Sequence, residues 1–344
     1  MAKTDLSYCA FGARTLLRNL GKFTEEAGNV RDHASEDTEY VHRMRVATRR
    51  LRSAMPLFAA CFPSGYVQGW EKGIKGVTKV LGKARDVDVQ IMVLEDTMNV
   101  LPDPDPEAGI RRLVLRLRQR REAMQPGIVK ALDKFFAGGA ENIMMEKFRE
   151  ILGKARVEKA PLLSETIFTT AAEIGMDRMA DTLSYDDFIR NPGNVEQLHA
   201  LRKSAKKLRY TLEVFDSPYQ KRLQPFIAGM KKLQTLLGDI HDCDVWCMCL
   251  PSFLEKEEAR TVEYYGYKRS MSKIRRGVEY FAANRKAARS ELYAEFIEYW
   301  NKMSETDFWE KLGESLEAGS DLLEGKADGK DMEGEGENEN STDR

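Results

Sequence analysis

The sequence predicts an all-α fold: two antiparallel four-helix bundles related by a pseudo-two-fold axis and produced by a tandem duplication. Three observations predict it. Apolar residues recur at alternating steps of three and four, and no stretch shows the two-residue alternation of a strand. The composition favours the helix formers Leu, Ala, Lys, Glu, Arg and Met, with only 11 prolines in 344 residues to interrupt them. The chain also repeats itself at an offset of 157 residues.

The repeat is clearest in "VHRMRVATRRLRSAMPLF", residues Val41 to Phe58. Val41, Met44, Thr48, Leu51, Met55 and Phe58 form one apolar helix face. His42, Arg45, Arg49 and Arg52 follow the same rhythm one residue later, about 100° around the helix and so at the border of the core. "LHALRKSAKKLRYTLEVF" repeats both stripes: Leu198, Leu201, Ala205, Leu208, Leu212 and Phe215 are apolar, and His199, Arg202, Lys206 and Arg209 are basic. At the same offset Leu6, Ser7 and Phe11 match Leu163, Ser164 and Phe168, and the run Arg111, Arg112, Arg116, Arg118 matches Lys268, Arg269, Lys273, Arg275. At 156, "LGKARDVDV" (81–89) matches "LGDIHDCDV" (237–245). The repeats therefore cover about 1–158 and 159–318.

Taken in order, the spacing predicts helices near 5–27, 37–61, 66–98 and 107–136, with a shorter one near 141–156. The second half reads as helices near 161–189, 194–216, 219–250 and 255–285, closed by one near 287–318. Asp37 and Asn194 stand where N-caps belong. "CFPSG", "LPDPDP", "AGGAEN", "RNPGN" and "DSPYQ" supply the turns.

Charge divides the chain. The net charge is −1, but the stretch from Glu314 to Arg344 holds eleven acids and three bases, which leaves the rest at +7. Residues 319–344 read as an acidic, Gly-rich, disordered tail, and the basic body calls for a polyanionic partner. Five cysteines, odd in number and unevenly spaced, do not suggest a disulfide framework, so a reducing compartment is expected. No secretory h-region or membrane-length apolar run is present, and the expectation is a cytoplasmic protein with no membrane partner. "HDCDVWCMC" reads as core packing, because its Cys spacing is not that of a zinc knuckle.

Phosphate oxygens only accept hydrogen bonds, so Arg and Lys are their natural partners. A helix with bases at i, i+3 and i+7 presents them regularly along about 15 Å of its axis. Lys75, Lys79 and Lys83, with Lys72 before them, continue this spacing on the next helix, and Lys231 and Lys232 answer them in the second half. Arg112 and Arg116, then Arg269 and Lys273, offer a third helix per bundle. If these stripes face one another they line one positive groove, where sulfate, phosphate or the acidic tail would relieve the repulsion. Asp86, Asp88, Asp242 and Asp244 are expected to pair with arginines rather than a metal. The outer Arg43, Arg50, Lys203 and Lys207 read as solvated surface, and for the two motif histidines phosphate contact and a structural hydrogen bond both stay open.

The paired helices "VHRMRVATRRLR" and "LHALRKSAKKLR", each followed by an "RD-x-D"-like element, resemble the CHAD family, the conserved histidine α-helical domains. The resemblance covers about residues 5–318. It implies two four-helix bundles around a basic central cavity, and binding of inorganic polyphosphate, often at polyphosphate granules. It places the motif histidines on His42 and His199, and the basic positions on Arg45, Arg49, Arg52, Arg202, Lys206 and Arg209. The "RD-x-D" element falls on Arg85, Asp86 and Asp88, but His241 stands in place of the second arginine, which breaks strict symmetry. Members often accompany a triphosphate-tunnel domain, for which this sequence has no candidate. The leading expectation is a non-enzymatic polyphosphate binder without cofactor or metal. A metal-dependent phosphohydrolase or phosphotransferase is the alternative. Nucleic acid is the weaker choice of partner, because the stripes lack interleaved aromatics.

Overall fold

The computed structural model describes residues 5–33 and 38–324, and every regular element among them is a helix. The first half holds α1 (Leu6–His33), α2 (Glu39–Ala54), a 3₁₀ segment (Met55–Cys61), α3 (Tyr66–Asn99), α4 (Glu107–Glu122), α5 (Gln125–Ala137) and α6 (Ala140–Val157). The second holds α7 (Glu165–Leu183), α8 (Asp186–Ile189), α9 (Val195–Phe215), α10 (Gln224–Tyr265), α11 (Met271–Glu305), α12 (Phe308–Glu317) and α13 (Asp321–Glu324). No helix among the described residues is long and apolar enough to cross a membrane.

Both apolar stripes are buried along their whole length, from Val41 to Phe58 and from Leu198 to Phe215. Helix α2 ends earlier than its spacing predicts. Pro56 has no N–H to bond back to Arg52, so the chain tightens into the 3₁₀ segment and Phe58 leaves helical geometry at φ −108°, ψ 16°. In the first half α1 packs on α2 and α6, and α3 on α2 and α5. In the second half α9 packs on α7 and α10, and α10 on α11. The halves meet where α2 touches α9 and where α4 packs on α11. One apolar core runs through both. At their junction Phe58 and Phe215, matched at the offset of 157, lie 6.3 Å apart, with Phe11 5.6 Å and 5.9 Å from them.

A smaller, second core was not visible in the sequence. Leu94 of α3 and Ile110 and Leu113 of α4 pack there against Trp246 and Leu250 of α10 and Ile274 and Phe281 of α11. This core corrects two expected breaks. Helix α10 runs unbroken past Pro251 because Leu250 and Leu254 on either side are buried in it. Helix α11 passes through 285–287 because Val278 and Phe281 are held in the small core and Phe296 and Trp300 in the large one. The stretch expected as one helix over 107–136 divides instead, with Pro126 in the first turn of α5.

Four other expectations change. Cys9 and Cys61 form a disulfide, because α1 packs on the 3₁₀ segment and brings their Cα atoms to 5.3 Å. Cys243 is buried as a core residue should be, whereas Cys249 is exposed. Asn194 stands at the start of α9, but its amide donates to the carbonyl of Phe188 at 2.8 Å instead of capping the helix; Asp37 lies outside the described residues. The predicted tail also begins too early: α13 is helical and Leu322 is buried, while 325–344 lies outside the described residues.

Helices α4 and α11 cross backbone against backbone. A Cβ on Gly277 would lie 2.1 Å from the Pro106 carbonyl oxygen, and one on Gly109 would lie 2.4 Å from that of Ile274. Backbone cannot yield as a side chain can, so Gly277→Ala is expected to destabilise by about 1–3 kcal/mol or more. Gly21→Ala, where nothing stands within 4 Å, should be neutral or stabilising. Chemical denaturation of the two variants measures the difference.

Candidate functional site

The contact between α2 and α9 brings the two basic stripes together. Arg45, Arg49 and Arg52 come from α2, and Arg202, Lys206 and Arg209 from α9. Their apolar neighbours are locked in the core, so neither helix can turn its charges outward. The cations crowd around Tyr210, which is only 4% exposed. Arg49 and Arg209 place their guanidinium carbons 5.0 Å and 4.9 Å from its ring centroid, and the Lys206 ammonium lies 5.9 Å away. Such contacts recover part of the cost of burying charge.

Few anions are supplied. Arg45 reaches Asp86 at 3.7 Å and Arg209 reaches Glu213 at 3.4 Å. The Nε atoms of Arg49, Arg52 and Arg209 are buried with no hydrogen-bond acceptor among the described residues. Burial, and then the charges of Arg49, Arg45, Arg202 and Arg209, push the Lys206 ammonium down to about 7. The only member able to shed its proton near neutrality is this lysine, since arginine does not deprotonate in proteins.

Two clefts open at this contact. One, of about 420 Å³, is lined by Arg45, Arg49, Arg52 and Lys206 together with Arg178 of α7. The other, of about 480 Å³, is lined by Arg209 and Lys231 with Arg18 and Lys22 of α1. Ser53 and Tyr210 border both. Lys203 and Lys207, expected as plain surface, line the first, and Arg50 lines the second. Arg43 lines neither cleft and pairs with Glu26 at 2.9 Å.

The "LG-x-x-x-D-x-D" elements seat the arginines. A Cβ on Gly82 would touch Arg45 Nε at 3.9 Å, and one on Gly238 would touch Arg202 Nε at 3.6 Å. The small residue leaves each guanidinium room against the neighbouring helix, in the same way in both halves. Two of the four expected pairs form at close range: Asp88 accepts from Arg121 at 2.7 Å, and Asp244 accepts from Arg289, whereas Asp242 makes no ion pair among the described residues and burial raises its carboxyl above its ordinary value. Among the described residues no cluster of three or more His, Cys, Asp or Glu is arranged to hold a metal ion.

The motif histidines are half-buried, and each carries a neighbour that disfavours its protonation. Burial and then Arg85 lower His42 below its ordinary value; burial and then His241 lower His199. The rings of His199 and His241 lie 4.4 Å apart, so the departure from "RD-x-D" stacks an imidazole where the first half sets an arginine. His199 Nδ1 is buried without a partner among the described residues.

The structure does not bring every predicted residue here. Arg112 and Arg116 bond Glu257 in the small core, at 3.1 Å and 2.7 Å. Glu257 is 26 residues beyond Lys231 on the same helix, about 39 Å along its axis. Arg269 and Lys273 lie exposed beyond the far end of α10, at that same tip. On α3, Lys75, Lys79 and Lys83 are exposed, and Glu71 and Thr78 line the cleft instead; Lys75 shares their face by spacing, and the other two sit farther round. Arg178 and Tyr210 were missed. Tyr210 follows Arg209 directly, so its place beside the basic stripe was available in the spacing.

A helical domain with a cation cluster where two sequence-related helices touch is the class of protein these features define. The family model of the CHAD domain matches residues 14–251, and the chain belongs to that family. Among solved structures, the crystal structure of the CHAD domain from the plant Ricinus communis is similar. It gives a TM-score of 0.52 at 24% sequence identity, covering 85% of this chain and 93% of that one. That likeness carries the fold alone. No curated protein matches the chain.

The sign of the Lys206 effect on stability follows from its two states. Unfolded, the lysine titrates near 10.5; folded, near 7. Between these values the unfolded chain binds more protons, so this group makes stability rise with pH. Lys206→Met should remove that slope and stabilise the free protein at pH 7, by an order of a few kcal/mol. Denaturation midpoints of both proteins from pH 7 to 10 test it.

Proposed function

We propose that this chain binds inorganic polyphosphate, without turning it over, in the clefts at the α2 and α9 contact. The observation that carries this reading is the convergence of six cations from two packed helices, with three buried guanidinium Nε atoms unmatched. A phosphate chain offers acceptor oxygens at every unit and nothing else to recognise. Cations on rigid supports are all that such a ligand requires. The two clefts sharing Ser53 and Tyr210 give a polymer a path along both sides of the cluster.

The repeat supports the same reading. Phe58 neighbours its match Phe215, Arg49 neighbours its match Lys206, and Arg45 and Arg202 have matching glycine seats, all of which support two halves related by a pseudo-two-fold. Such a groove presents similar charges in both directions, which suits a polymer of identical units. Two of the four motif carboxylates, Asp88 and Asp244, are tied to arginines rather than free to meet a metal, which favours binding over catalysis. Bases find no platform here, because Tyr210 is buried under the cations. Sulfate and phosphate are weaker occupants of the same clefts. Where the polymer gathers in granules, the protein follows it there.

Titration with labelled long-chain polyphosphate tests this. Phosphate favours the charged form of Lys206, so affinity should fall as pH rises above 7. Lys206→Met should flatten that profile, and Arg49→Met/Lys206→Met should weaken binding at least tenfold at pH 6.5. Affinity should also fall steeply with salt, and the polymer should keep its length with magnesium or manganese present. Shortened polymer would transfer the chain to the phosphohydrolases. Unchanged affinity in the double variant would place the ligand elsewhere.

A further inference from the structure

The far end of α10 and α11 carries features that the polyphosphate reading does not use. Helix α10 ends in Tyr264 and Tyr265, and Gly266 turns the chain at φ +76°, a left-handed geometry that favours glycine. Tyr267, Lys268 and Arg269 follow before α11 begins. Tyr264 is 81% exposed, and Tyr265 and Tyr267 are each 57% exposed. They touch one another rather than the core: the first two rings are 4.7 Å apart and nearly perpendicular, and the last two are 6.1 Å apart. Three large rings in contact on a surface are an observation that needs a cause.

Beside them lies a fixed set of cations. Glu257 is wholly buried and accepts hydrogen bonds from Arg112, Arg116 and Arg260. Its charge is shared among three, which leaves this cluster two positive charges in excess. Arg116 grips both oxygens and also reaches Gln119, so its plane is held. The hydrogen bonds among the described residues use one nitrogen of Arg112 and one of Arg260. The rest of each fork remains for an anion. The three arginines and three tyrosines line one cleft of about 560 Å³. Arg269 and Lys273 add charge on the loop and the first turn of α11.

We propose that this tip binds single-stranded nucleic acid, its bases stacked on Tyr264, Tyr265 and Tyr267 and its phosphates held by Arg112 and Arg260. Rings with open faces next to cations form the pair of features that a flexible strand of bases and phosphates requires, and stacking of this kind is tolerant of sequence. Polyphosphate has no base to stack, and an apolar protein partner would not call for the excess charge. Duplex hides its bases. The aromatics missing from the α2 and α9 stripes are therefore present at another place in the fold, at the far end of α10.

The test uses the full chain and a labelled twelve-nucleotide oligouridine, with the same length of duplex, uridine monophosphate and polyphosphate as competitors. Three variants are compared: Tyr264→Ala/Tyr267→Ala, Tyr264→Phe/Tyr267→Phe and Lys206→Met. Both tyrosines are exposed, so the fold should survive, and circular dichroism checks it. The single strand is expected to bind, to weaken at least tenfold in the alanine variant, and to recover in the phenylalanine variant. Lys206→Met should leave it unchanged, which separates this site from the polyphosphate clefts whatever becomes of that reading. Duplex, the mononucleotide and polyphosphate should compete poorly. No binding, equal binding in the alanine variant, loss of binding in Lys206→Met, or equal competition by duplex or mononucleotide would each overturn the proposal. So would a wild-type dimer that the alanine variant dissolves, since the tyrosines would then be covered by a second copy.

Discussion

Like charges held together against their repulsion are the constraint on which the rest of this structure depends. Arg45, Arg49, Arg202, Lys206 and Arg209 would separate if α2 or α9 could rotate by a fraction of a turn. They cannot, because each basic stripe lies one residue from an apolar stripe that is buried from end to end. The large core thus supplies the free energy that keeps the cluster assembled. The repulsion is relieved at the one weak member. Where the first half has Arg49 the second has Lys206, and burial beside four arginines brings that lysine down to about 7. An arginine there could not give up its proton. The substitution between the two halves therefore makes the cluster adjustable near neutral pH.

The same logic explains the second conserved spacing within the chain. Gly82 and Gly238 leave the guanidinium groups of Arg45 and Arg202 room against α3 and α10, while Asp88 and Asp244 anchor those helices to Arg121 and Arg289. Asp86 is one of the carboxylates near the cluster, and it meets Arg45 only at 3.7 Å and largely in solvent. A contact of that kind contributes little. It leaves most of the attraction of Arg45 available for another anion.

Much of this was legible in the sequence, and the limits have physical causes. Spacing of three and four located both stripes, since the burial of one face is a local property of a helix. The pairing of Asp88 and Asp244 with arginines followed from charge alone. What spacing cannot give is the distance along a long helix or the element that packs at its end. Arg112 and Arg116 share the periodicity of the site residues yet belong to the second core, because α10 continues past Pro251 and meets them at Glu257. Proline signalled an end there, but Leu250 and Leu254 are buried on both sides and packing prevailed. The Cys9 and Cys61 pair was hidden for a similar reason: 52 residues separate the two, and only the docking of α1 on the 3₁₀ segment joins them.

The length of α10 and α11 sets how the two cationic regions relate. Both helices cross from the large core into the small one, so the regions are joined by rigid structure rather than by a linker. Along α10, Glu257 nevertheless lies 19 residues, about 28 Å, beyond Gly238, where Arg202 is seated. That is several times the screening length of about 8 Å at physiological salt, so charge neutralised at one end is scarcely felt at the other. Direct competition would need a ligand long enough to span both. A short anion at the cluster and a strand at the tip would bind as independent events, and a long polyanion could tie them together. The spacing imposed by a 42-residue helix thus decides whether the protein acts as one site or two.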